Sequence, residues 1–310
     1  MYQYTCISPS RYCDMVFFIL IYIIAPLLLS YSAVAQDSVS FVYTNNTNGY
    51  IEACDCGEEP LGGLARRKFI FDNIRKNERA VIFVDAGDFL NQFGFSPQQD
   101  SMTIRLYELL SYDAVNPGDN EFANGYDFFE RIVSRSKLPF TSSTLWHDTR
   151  PIAQPYQIVT RENYKIGIIG YTPFSAFRYF PKNKQPGVHS VNERERLNAV
   201  IKDIRSRVDI LMVLSHAGSE EDKLILSDFP DIDMIVGAHD QVEIEEPIVD
   251  KNRYIVQAGG NGTKVGKLTL YLKSGKMINH TNRFYTLSEN ITEDAEIKKL
   301  ITRFKKANKK

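Results

Sequence analysis

Ala80-Val81-Ile82-Phe83-Val84-Asp85-Ala86-Gly87-Asp88 is an apolar run that ends in a carboxylate, two small residues and a second carboxylate. Unbroken apolarity from Ala80 to Asp85 is the pattern of a strand buried on both faces. Carboxylates just past such a strand lie where α/β sheets present ligands.

Working outward, the same arrangement recurs. Val39 to Thr44 alternates as a first strand and is followed by Asn46 and Asn48. Gly63 to Lys76 reads as a helix with Leu64, Phe69 and Ile70 inward, and Ile104 to Leu110 and Tyr126 to Val133 as two more. Asp119, Asn120 and Glu121 follow the short apolar pair Ala114-Val115. Tyr164 to Gly170 and Asp209 to Ser215 are further buried strands, with a charged helix from Val191 to Ser206 between them; His216 follows the second. Met234 to Gly237 is a short strand with His239 and Gln241 after it. Then the pattern changes: Tyr254 to Gln257, Lys264 to Leu272 and Met277 to Tyr285 are strands without intervening helices, and a lysine-rich helix, Ala295 to Lys309, closes the chain. Alternating strands and helices with a β-rich end predict an α/β fold of two packed sheets with helices outside. Acidic, amide and imidazole groups from separate strand ends would converge on one edge.

Composition narrows the class. Of 310 residues, 43% are hydrophobic and 24% charged, which a globular domain needs and a disordered chain lacks. The net charge of -1 argues against a nucleic-acid partner, which requires a basic face. Met15 to Leu29 is apolar apart from Pro26, with Arg11 before it and Ala33-Val34-Ala35 after it. This reads as a signal peptide over 1–35, cleaved after Ala35, with 36–310 as one domain. The run falls short of the roughly 20 apolar residues of a comfortable membrane span, so no stable span is expected after cleavage and the protein is placed in the periplasm or outside the cell. Cys6 and Cys13 would leave with that segment; only Cys54 and Cys56 remain, so a framework of several disulfides is excluded.

Six motifs in order resemble the metallophosphoesterase domain of the 5'-nucleotidase and UDP-sugar hydrolase family, a calcineurin-like group. Where the family has Thr-Asn-Asp-x-His-Gly, this chain has Thr44-Asn45-Asn46-Thr47-Asn48-Gly49. The Gly-Gly-x-Ala-Arg helix start is Gly62-Gly63-Leu64-Ala65-Arg66, and Asp-Ala-Gly-Asp is Asp85 to Asp88. Gly-Asn-His-Glu-Phe is Gly118-Asp119-Asn120-Glu121-Phe122, His-x-Gly is His216-Ala217-Gly218, and the last motif is Ala238-His239-Asp240-Gln241. The resemblance spans about residues 39 to 285 and implies a four-layer αββα sandwich whose two metals clamp a phosphate ester. It implies that Asp88 bridges the metals, that Asp119, His216 and His239 complete one site, and that Asn46, Asn48 and Gln241 surround the other. Nucleotidases of the family carry a second domain for the nucleoside; 36–310 is expected to hold the first alone.

The departures redistribute chemistry. The first-motif Asp and His are Asn46 and Asn48, and a neutral amide is a poor ligand for a dication. The third-motif Asn is Asp119, so a carboxylate moves from the first site to the second. One retained site of two carboxylates and two imidazoles is expected, suited to zinc, iron or manganese, with the count of ions one or two. The third-motif His, a catalytic group in the family, is Asn120, which can donate a hydrogen bond but not a proton near pH 7. Three readings stand for Cys54 and Cys56: thiolate ligands replacing the lost pair, a strained disulfide, or free thiols.

Two functions are therefore expected: a secreted metal-dependent phosphoesterase, with Asp88 and Asn120 at the reacting centre, or a non-catalytic metal-binding cell-envelope protein or partner subunit on the same fold. Gly62, Gly63 and Arg66 at a helix start either hold an anion or simply begin the helix. His147, His189 and His280 read as surface residues, Trp146 as core, and Gly259-Gly260-Asn261-Gly262 as a tight turn.

Overall fold

The computed structural model describes residue 2 and residues 37–54, 59–92, 96–180 and 187–308. The expected signal segment lies almost wholly outside them, as do Cys56 and the side chain of Cys54. Among the described residues no helix is long and apolar enough to cross a membrane.

Two sheets carry the fold. The first has five strands in the order Lys276–Thr286, Lys264–Lys273, Asp37–Thr44, Val81–Asp85, Ala114–Val115. Asp37–Thr44 and Val81–Asp85 run parallel, with Thr44 level with Asp85, so the residues after both strands emerge side by side. The second has six strands in the order Ile248–Asp250, Arg253–Val256, Met234–Val236, Ile210–Ser215, Tyr164–Tyr171, Tyr156–Arg161, its four central members parallel.

The two-residue period of a strand sorts its side chains into layers. Phe41, Tyr43, Ile82 and Val84 face Ile166, Ile168, Met212 and Leu214 in a core between the sheets. From the same strands Val42, Val81 and Phe83 point the other way, onto helices Leu64–Asn77, Pro97–Leu110 and Ala295–Ala307. Ile169, Leu211 and Val213 point outward beneath helices Glu193–Ile204 and Ser219–Asp228. Helix, sheet, sheet, helix is the αββα sandwich, and the unbroken apolarity of strand Val81–Asp85 is that of a strand covered on both faces.

Some expected elements are displaced. Helix Pro97–Leu110 begins a full two turns before the Ile104 start, because Ser96 caps it through Gln99 N–H at 3.2 Å and Pro97 opens the first turn. Helix Ser219–Asp228 and strand Tyr156–Arg161 were not legible, the first for its acidic opening turn and the second for its half-exposed face. Trp146 is only partly buried and lies under the Arg196 guanidinium at 4.0 Å, so it is a surface stack and not core. His147 is likewise partly buried, stacked on Tyr126 at 3.7 Å with its Nδ1 bonded to Gly187 O.

Candidate metal centre

The loops after five central strands meet at one edge. Asp88, Asp119, His216 and His239 offer ligand atoms that all lie within 4.8 Å of one another. His216 Nε2 stands 3.2 Å from Asp88 Oδ2 and 3.5 Å from Asp119 Oδ1, and His239 Nδ1 stands 3.4 Å from the same Asp119 oxygen. Oxygen and nitrogen donors bound at about 2.1 Å around one tetrahedral cation keep about 3.4 Å between them.

The protonation pattern agrees. His216 is fully buried and its Nδ1 faces Ala86 O at 2.9 Å, an interaction only an N–H can make. Without a cation the ring keeps a second proton on Nε2, facing the two carboxylates; a cation bound there would take that proton's place. Among the described residues neither Nε2 nor buried Asp119 Oδ1 has a partner at hydrogen-bond geometry. Two carboxylates and two imidazoles converging on one point form a donor set that a divalent cation fits, and the Nδ1–carbonyl bond is how proteins orient a ligating imidazole. Burial opposes charging His216, but Asp88 and Asp119 outweigh it and hold the ring well above the usual histidine range. The Asp119 carboxyl, despite its burial, is pulled down to about 2 by His216 and His239.

The backbone is shaped for this cluster. Asp88, His239, Asn46, Asn48 and Gln241 all adopt positive φ, at 59°, 83°, 44°, 52° and 57°, a region side-chain-bearing residues rarely enter. Specific bonds hold them there. His239 N–H donates to Asn46 Oδ1 at 3.0 Å. Glu121, 1% exposed, accepts the N–H groups of Asp88, Phe89, Leu90 and Gly118 at 3.0, 2.9, 3.0 and 2.6 Å and so clamps the Asp88 turn to the Gly118 turn. A Cβ at Gly118 would stand 2.3 Å from Asp88 Oδ1 and 2.6 Å from His216 Nε2, so the cluster exists only with glycine there.

The depleted side of the site is not open. Asn46 Nδ2 donates to Asp88 Oδ2 at 3.1 Å; its Oδ1 already accepts from His239 N–H, which fixes the amide's orientation. Asn120 Nδ2 donates to Asn48 Oδ1 at 3.1 Å, and Asn48 Nδ2 donates to Gln241 Oε1 at 3.1 Å and Asn261 Oδ1 at 2.9 Å. Asn120 N–H also donates to Asp88 Oδ1 at 3.0 Å. Neutral amides bonded to one another thus stand beside the four-ligand cluster. Asn261 belongs to the Gly-Gly-Asn-Gly turn, so that turn reaches the site; its place after the last parallel strand was the available signal. Glu121's clamping role had no signal beyond its motif.

The other candidates lie apart. Arg66 donates to the carbonyls of Pro60, Gly62 and Leu287, and Leu64 N–H to Ile51 O, so these donors at the Gly62-Gly63 helix start are engaged within the chain. Arg67 is fully buried against the hydroxyls of Tyr107, Tyr112 and Thr47. His147, His189 and His280 are outside the cluster.

The sequence model of the calcineurin-like phosphoesterases matches residues 55–243, more than half of the chain. The chain belongs to the calcineurin-like phosphoesterase family. It is 26% identical over 304 residues to a snake-venom 5'-nucleotidase of Naja atra, covering 86% of this chain and 56% of that one. The human 5'-nucleotidase is 26% identical over 325 residues, covering 91% of this chain and 56% of its own. The chain therefore spans about half the length of the curated relatives it matches. Among solved structures, a 5'-nucleotidase precursor of Thermus thermophilus superposes with a TM-score of 0.78 at 24% identity, over 87% of this chain and 59% of that one. That likeness bears on the fold. Members of this phosphoesterase family use divalent metals, and the Asp/His cluster is the part of this one that could hold such an ion.

Proposed function

We propose that this chain is a metal-dependent phosphoesterase of the 5'-nucleotidase type, exported to the periplasm or beyond, that works with one divalent cation on Asp88, Asp119, His216 and His239. The observation that carries this reading is the convergence of Asp88, Asp119, His216 and His239, whose ligand atoms all lie within 4.8 Å of one another. Zinc, manganese and iron suit two carboxylates and two imidazoles. When bound, such a cation polarises a phosphoryl oxygen and offsets the charge that builds on it.

The chain's own groups do the rest. Asp88, whose Oδ1 is tied to Asn120 N–H, and His216, tied to Ala86 O, fix the ligand positions. Asn120 and Gln241 border the same edge. The Asn120 amide would steer a leaving-group oxygen by hydrogen bonding but cannot protonate it, so esters whose alcohols are already acidic should react best. The six-motif order, the family match and the cluster support this reading; the expected leader at 1–35 supports export.

A second reading is favoured by the amide web. With Asn46 bonded to Asp88 and Asn48 to Asn120, the centre would bind a cation without turnover and serve as a metal-binding subunit. Metal content and turnover of p-nitrophenyl phosphate and bis-p-nitrophenyl phosphate, on one sample of residues 36–310, separate the two. One ion per chain with turnover lost in Asp119→Asn supports the enzyme. One ion with no turnover of either ester supports the binding protein. No ion at all rejects both.

A further inference from the structure

Beside the amide web lies a cavity of about 300 Å³ lined by Asn48, Tyr50, Asn91, Gln92, Gln99 and Asn261. Among the described residues its wall contains five amides, one phenol ring and no charged side chain. In a molecule of which 24% is charged, a pocket at the edge of a metal centre with no ionic group is a chemical statement. It offers no cationic side chain to pair with a second phosphate or a carboxylate.

The amides are set in place. Asn91 Nδ2 and N–H both donate to buried Asp100 Oδ1, at 2.6 and 2.9 Å, and Asn124 holds the other Asp100 oxygen at 2.8 Å. Gln99 Nε2 donates to Gly49 O at 2.8 Å. Gly49 sits at φ 77° against the Asn91 amide; a Cβ there would stand 2.5 Å from Asn91 Oδ1, so the pocket wall needs the glycine. Asn91 Oδ1, Gln99 Oε1, Asn261 Nδ2 and the whole Gln92 amide, all on lining residues, make no hydrogen bond within the described chain. Two acceptors, one donor group and one amide with both, beside an aromatic ring 37% exposed, match a ligand whose groups both donate and accept. Hydroxyls do this; a phosphate dianion only accepts and an alkyl chain does neither.

Asn48 joins the pocket to the metal centre. It lines the cavity and bonds Asn120 and Gln241. We infer that this cavity binds a neutral, polyhydroxylated group, the sugar or polyol part of a phosphate ester, while the phosphoryl group lies at the metal cluster. The assignment of the phosphoryl group rests on the phosphoesterase reading; the hydroxyl-binding pocket does not.

The test uses metal-loaded residues 36–310 with glycerol 1-phosphate, ribose 5-phosphate, glucose 1-phosphate and phenyl phosphate, on the native chain, Tyr50→Ala and Gln92→Leu. Binding is read by ligand-observed NMR and calorimetry, turnover by phosphate release. At least one hydroxylated ester should bind tenfold or more tighter than phenyl phosphate. Each variant should raise its Kd, or its KM relative to that of phenyl phosphate, about tenfold with kcat retained. No preference for any hydroxylated ester overturns the pocket assignment, as does an equal effect of both variants on phenyl phosphate. Binding with the preference but without phosphate release upholds the pocket and rejects the phosphoesterase reading. Methyl glucoside binding as tightly as the phosphate esters supports hydroxyl recognition and makes a free sugar the ligand.

Discussion

Asn46 Nδ2 donates to Asp88 Oδ2 at 3.1 Å, from the position where the family's first motif has a carboxylate. Replacing it by Asp removes that donor and sets a second negative charge against Asp88. Metal-free Asn46→Asp should lose roughly 1–3 kcal/mol, the range for a buried polar group stripped of its partner. Saturating zinc or manganese should restore it, since a cation satisfies both carboxylates. With Asn48→His added, metal content should rise from one ion per chain to two. Thermal melts with and without EDTA, together with elemental analysis, check this. Unchanged melting and a single ion in the double variant would mean that the amides do not fill the second position.

Glu121→Gln tests the clamp. All four of its partners are N–H donors, so a carboxamide must turn its own NH2 toward at least one of them. Burial, with the charge of Asp88, raises the Glu121 carboxyl to about 8, so above that pH the variant should lose about 2–4 kcal/mol in urea unfolding with EDTA present, as for a buried charge-assisted network broken on one side. Metal affinity should fall with it, because the clamp sets the Asp88 turn. A loss under about 0.5 kcal/mol would assign the Asp88 turn to its other contacts.

The layers were legible because they follow from local rules, and the four clustered residues because they stand in motifs that resemble the family's. Strand Val81–Asp85 advertises burial on two faces, and its parallel register with Asp37–Thr44 brings their following loops together. The amide web was not legible as a web. Substituting Asn for Asp and His predicts a weakened site, but only the orientation of Asn46, fixed by His239 N–H, shows a donor facing Asp88. The cavity beside Tyr50 gave no signal either, since Asn91, Gln92 and Gln99 belong to no motif and are brought to Asn48 by tertiary packing. Helix Pro97–Leu110 shows the same limit: its first two turns carry few apolar residues, and only the cap marks its start.

Asp85 makes stability depend on pH. Burial pushes its carboxyl up to about 6, against bonds from Thr44, Gly87 N–H and Tyr107 and the charge of Arg67. A folded pKa above the unfolded one means that between about pH 4 and 6 the native state holds a proton the unfolded chain has released. Stability from this group is therefore greatest below about pH 4 and declines as pH rises through 6, by at most about 3 kcal/mol. Relative to Asp85→Asn, which cannot ionise, the native chain should lose stability across that window and then level off. Urea midpoints of the two proteins at half-unit pH steps, with EDTA throughout, read the difference. A gap that is constant from pH 4 to 7 would show that Asp85 has an ordinary pKa in the fold.

Asn120→His should restore what the amide lacks. Asn120 is 3% exposed, its N–H is anchored on Asp88, and its side chain touches Asn48, so position 120 is held close to the cluster. An imidazole there can donate a proton near neutral pH, and positioned general acids contribute about 10²- to 10⁴-fold. The gain depends on the leaving group. For p-nitrophenyl phosphate, whose phenol leaves without help, kcat should change less than about threefold; for alkyl esters such as glycerol 1-phosphate it should rise at least about tenfold, with a new acidic-form dependence near the histidine range. Phosphate release from both esters between pH 5.5 and 8.5 measures this. Equal gains on both would mean that histidine acts by positioning or charge. No gain on either would place the missing step away from position 120.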